Sequence, residues 1–81
     1  MNTKTAYELL TEEAHRAGER GYLAEKTALQ LAKALVNRHG LTGAKESADM
    51  LRIEAEKRAR GGLTANATAL NYGASFLMKS H

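Results

Sequence analysis

The stretch YLAEKTALQLAKALVNRHG, Tyr22 to Gly40, decides the fold. Ala24, Ala28, Leu31 and Leu35 recur at helical spacing and make an inner stripe, which Leu29, Ala32 and Val36 broaden. Lys26, Gln30, Lys33 and Asn37 form a polar stripe opposite. Gly40 stands where a helix leaves through a left-handed residue, and Leu41 follows in position to close on Val36. The spacing predicts a helix over about 22–39.

Working outward, the same period appears three more times, cut by glycines. A helix over about 5–20 opens with Thr5 and Glu8 at capping-box spacing. Ala6, Leu10, Ala14 and Ala17 share one face, widened by Leu9, and Gly21 ends the run. A third helix over about 44–60 follows a Thr42 cap. It lines up Ala44, Ala48, Leu51, Ala55 and Ala59, with Arg52–Glu56, Glu54–Arg58 and Glu56–Arg60 outside at i,i+4. A fourth segment over about 64–79 repeats Ala67, Leu70, Ala74 and Leu77. Asn66, Thr68, Asn71 and Gly73 lower its propensity, so it needs docking to persist, and a frayed tail is the alternative. Gly40-Leu41-Thr42 and Gly62-Leu63-Thr64 join helix to helix by one device: glycine ends a helix, leucine plugs the corner and threonine caps the next. Short connections predict an all-α, single-domain bundle of three to four helices with antiparallel neighbours.

Composition agrees. The chain has 81 residues, 43% hydrophobic and only 5% aromatic, with one Val, one Ile, one Phe and no proline. Alanine and leucine favour helices, while strands want the β-branched and aromatic residues that are scarce here. A small alanine-rich core removes little apolar area from water, so a partner or a second copy is expected to add stability. The absence of cysteine excludes disulfide and thiolate chemistry and suits a reducing, cytoplasmic location. Glu8, Glu12 and Glu13 interrupt any signal-peptide core, and no apolar run reaches bilayer length, so no membrane association is expected.

Catalytic patterns are missing. His15, His39 and His81 lack metal-ligand spacing, so no metal and no cofactor is expected. Glu12–Glu13 and Glu54–Glu56 read as solvated carboxylates among Lys and Arg, not as a converging acid/base pair. No nucleophile triad, phosphate loop or dinucleotide fingerprint is visible, and no enzyme is expected. Lys57, Arg58 and Arg60 beside Gly61-Gly62 could engage phosphates without reading bases. The plainer reading is cations complementing a helix C-terminus. If Gly40 were the turn of a helix-turn-helix, buried positions would fall on Lys45 or Glu46 and on Ala48 or Asp49; only Ala48 suits.

Met50 and Ile53 lie off the Ala48–Leu51–Ala55 side of the third helix, and Tyr72 and Phe76 lie off the Leu70/Leu77 side of the fourth. These four residues are the candidate partner-binding positions. The plain alternative is that the fourth helix or the N-terminus covers the first two and that the aromatics join the core.

Between Tyr7 and Ala34, the residues Ala14, Gly21-Tyr22, Leu29 and Ala32 resemble the AraC negative regulator family of small bacterial, plasmid and phage helical proteins. This chain has Leu29 where that family carries Trp, and its glycine directly precedes Tyr22. A tetratricopeptide helical hairpin shares much of the pattern. The resemblance covers about a third of the chain and implies binding to a transcription regulator. The leading expectation is a non-enzymatic protein-interaction module, plausibly a homodimer. Phosphate-backbone binding to nucleic acid is the second.

Overall fold

The computed structural model describes residues 4–80. Four helices occupy nearly all of them: α1 Ala6–Glu19, α2 Leu23–His39, α3 Ala44–Arg60 and α4 Thr64–Ser80. Among the described residues there is no strand. The bounds fall within one residue of those read from the sequence. The fourth segment is a continuous helix, not a frayed tail.

Local chemistry sets the ends. The Thr5 hydroxyl accepts the Glu8 N–H at 3.1 Å, and the Glu8 carboxylate accepts the Thr5 N–H at 3.0 Å. Both bonds of the expected capping box are therefore present. That backbone donor, then the Thr5 hydroxyl, holds the Glu8 carboxyl below its ordinary value. At the other end of α2, Gly40 takes φ 66°. Its N–H reaches the Asn37 carbonyl at 3.1 Å, and the Leu41 N–H reaches Val36 at 3.3 Å. This is a Schellman closure. The same two bonds finish α1, from Gly21 to Gly18 and from Tyr22 to Ala17. They also finish α3, from Gly62 to Ala59 and from Leu63 to Arg58.

Three local expectations need correction. Gly43, not Thr42, is the N-cap of α3, and the Glu46 carboxylate accepts the Gly43 N–H at 3.0 Å. The Thr42 carbonyl instead accepts the Ala6 N–H at 2.8 Å, pinning the start of α1 to the α2–α3 turn. Thr64 is the first helical residue of α4 rather than its cap. Leu63 does not plug its corner: it is 53% exposed. The Schellman residue usually closes on an apolar side chain five positions back, and here that position is Arg58.

The core takes the expected faces of α1 and α4. Leu10, Leu29, Val36, Leu51, Leu70 and Leu77 are fully buried. On α2 the buried set is Ala28, Leu29, Ala32, Leu35 and Val36; Leu31 is half-buried and Ala24 is exposed. On α3, Ala59, expected on the inner face, is exposed.

Packing makes two hairpins, α1/α2 and α3/α4, held together mainly by α2 against α4. The consecutive helices α2 and α3 touch at few points. The fourth helix sits between them and contacts all the others. The reason is Gly73. An ideal Cβ there would lie 2.6 Å from Ala32 Cβ, with Leu51 of α3 and Leu10 of α1 next nearest at 3.7 and 4.0 Å. The residue that weakens α4 as an isolated helix is the one that lets it enter the centre.

Ser47 is buried, and its hydroxyl has no partner among the described residues. An unmatched buried hydroxyl costs stability. Lys33 lies 5.3 Å from the Tyr7 ring centre and ties α2 to the start of α1.

Two stability outcomes follow. Gly73→Ala gains about 1 kcal/mol of helix propensity but overpacks the crossing at a cost of about 1–3 kcal/mol. Urea unfolding should give a net loss, relieved by adding Ala32→Gly; a plain gain would mean the crossing is loose. Ser47→Ala should be neutral or stabilising by up to about 1 kcal/mol in the same assay, and a clear loss would reveal a hydroxyl partner.

Candidate protein-binding surface

A surface groove of about 580 Å³ runs between the first halves of α2 and α4. Its α2 wall is Ala24, Glu25 and Ala28, and its α4 wall is Ala65, Thr68, Ala69 and Tyr72. The order of these residues, with Ala32 against Gly73 further on, means that the two helices run in the same direction. Alanines one turn apart on each wall keep the floor low. Both helices begin at turns that leave large apolar side chains outside: Tyr22, Leu23 and Leu63 are all more than half exposed.

The groove has a distinct charge pattern. The chain carries 12 basic and 9 acidic residues, yet none falls between Gly61 and Met78. The exposed positions of α4 before its last turn are neutral: Thr64, Ala65, Thr68, Asn71, Tyr72 and Ser75. Interface cores are depleted of charge and enriched in tyrosine, whereas ordinary solvated helix faces are not. On the α2 wall Glu25 is half-buried. Among the described residues it forms no ion pair. Burial pushes the Tyr72 phenol above its ordinary value, and the negative charges of Glu13 and Glu25 add to that.

The four residues proposed from the sequence do not form one patch. Tyr72 lines the groove. Phe76, one turn on, is half-buried against the core, as is Met50 on α3. Ile53 is 56% exposed on the side of α3 opposite Leu51 and Ala55. The alanine walls were missed for a simple reason. An alanine stripe reads as core, and Ala24 was assigned to the inside. The signal that finds the groove is the uncharged run from Gly61 to Met78, which no buried helix face of that length can account for, since every second or third residue faces out.

Each cation at the basic end of α3 has one internal contact. Arg58 is half-buried and donates to Asn66 Oδ1 of α4 at 3.1 Å. It does not pair with Glu54, whose carboxylate instead meets Lys57 at 3.4 Å. Arg60 pairs with Glu56. Arg58 thus straps the start of α4 to the end of α3, and its Nε is buried without a partner among the described residues. Lys57 and Arg60 stay largely exposed in these pairs, and all three cations keep further N–H donors.

Among the described residues no three His, Cys, Asp or Glu side chains converge as metal ligands. His15 and His39 are both exposed, and His81 lies outside the described residues. No described helix is long and apolar enough to cross a membrane.

The phenol gives a direct check of the groove's field. A raised pKa in the folded state means that its stabilising contribution is complete below the ordinary tyrosine value and is lost as pH rises through the raised one. Ultraviolet titration should show a late-titrating phenol that vanishes in Tyr72→Phe and shifts downward in Glu25→Gln. An unchanged alkaline limb in both would mean that Tyr72 does not sense these charges.

No protein-family model, curated protein or solved structure matches the chain.

Proposed function

We propose that this chain is a non-enzymatic interaction module that regulates a protein partner by docking against the α2–α4 face. The observation that carries this is the uncharged outer surface of α4 beside an alanine-floored groove with Tyr72 on its wall. Such a surface offers a docked chain close approach and little charge to desolvate. An exposed aromatic held by a rigid helix is a natural anchor, because few torsions must be frozen. The resemblance of residues 7–34 to small bacterial, plasmid and phage regulators supports a transcription regulator as the partner. Ile53, isolated on the outside of α3, is a second contact point, suited to a larger partner or a homodimer.

The catalytic alternative would need a converging set of titratable groups, and among the described residues no three His, Cys, Asp or Glu side chains converge. The nucleic-acid alternative would draw on Lys57 and Arg60, which pair with α3 glutamates, and on Arg58, which donates to the neutral Asn66.

The test is capture of protein partners from lysate of the source cells by the immobilised chain, with sedimentation to give its own oligomeric state. Tyr72→Asp should lose the captured protein while circular dichroism stays helical, since the side chain is exposed. Ile53→Asp should weaken capture or self-association without unfolding. Capture and oligomeric state unchanged in both variants would refute this choice of surface. A wild-type chain that stays monomeric and captures nothing would refute the interaction role itself.

A further inference from the structure

We propose that the α2–α4 groove seats a basic amphipathic helix of another protein, its apolar face along the two alanine walls and a Lys or Arg directed at Glu25. This rests on the interaction reading above and gives the partner its chemistry.

The argument is charge complementarity on an otherwise neutral surface. The α4 wall brings no charge, and α3 does not line the groove. On the α2 wall the one charged residue is Glu25. Its neighbour Lys26 is turned away, with its aliphatic stem over Gly18 of α1. Glu13 of α1 adds a second negative charge felt at Tyr72, although Arg16 holds it at 2.8 Å. A docked segment would therefore meet a low apolar floor, a phenol and a half-buried glutamate that forms no ion pair among the described residues. Covering that carboxylate with an uncharged chain would strand it, and covering it with an acidic one would add repulsion. A cation on the incoming helix removes both costs.

The shape favours a helix. Ala24 and Ala28 on one wall, and Ala65 and Ala69 on the other, are spaced by one helical turn. Small side chains at that spacing let a third rod lie close, with its larger residues between them. A second copy is disfavoured at this face. A two-fold pairing of the groove walls on themselves would bring a second Glu25 and a second uncharged α4 wall, and no cation from either wall.

The probe is a synthetic amphipathic peptide with a Leu/Ala face flanked by one row of Lys, compared with a sister peptide carrying Glu in that row. Binding to the full chain is followed by fluorescence anisotropy at low salt, and the site is mapped by alanine methyl shifts. The Lys peptide should bind, shift the methyls of Ala24, Ala28, Ala65 and Ala69, and outbind the Glu peptide by about tenfold. Glu25→Gln should weaken the Lys peptide about two- to fivefold. Thr68→Lys, at an exposed position that tolerates the change, should weaken it further. Equal binding of the two peptides, or methyl shifts confined elsewhere, would overturn the proposal. So would a concentration-dependent dimer that perturbs the same alanines, since it would assign the groove to a second copy. A natural partner held equally by wild type, Glu25→Gln and Thr68→Lys would overturn this groove while leaving the interaction role standing.

Discussion

The whole arrangement hangs on one close approach, Gly73 of α4 against Ala32 of α2. Two helices can come this near only where neither carries a side chain larger than a methyl. Leu51 from α3 and Leu10 from α1 surround that point. All four helices therefore meet there, and the two hairpins become one core. A bulkier residue at position 73 would hold α4 off α2 and open the space between the hairpins. Because interiors are packed to crystal-like density, such a gap cannot be absorbed quietly. The groove lies between the same two helices, on the side of that crossing toward their starts.

The turns do a second job. Three Schellman closures make the corners tight and leave no long loop to fold over the surface. Leu41, five positions after Val36, is half-buried. Leu63, five positions after Arg58, stays outside. Arg58 is itself turned to Asn66, which braces α4 at its first turn. A residue that looks like part of a phosphate-binding patch in the sequence thus works as a strap in the fold.

In the proposed role, binding rests on shape and local field. The net charge is +3, but the groove is locally negative because α4 contributes nothing and α2 contributes Glu25. Long-range steering would follow the overall charge and salt would screen it. A contact at Glu25 is short-range and half-shielded, so it would persist. Affinity would come from the alanine floor and Tyr72, and discrimination between partners from the carboxylate.

The sequence by itself determined the four helices, their glycine-marked ends, the Thr5–Glu8 capping box and most of the buried face. These depend on contacts within a few residues, where periodicity and turn chemistry act directly. It also marked Tyr72 and Ile53 as apolar side chains off the core faces. The tertiary structure alone decided that α4 lies between α2 and α3, that Ala24 faces a groove, and that Met50 and Phe76 pack inward. It also paired Arg58 with Asn66 rather than with Glu54. Each of these turns on which helix stands beside which. Helical spacing tells a residue's direction around its own axis, but an alanine that contacts a neighbour and an alanine that floors a groove have the same period. Only the approach of a second helix separates them.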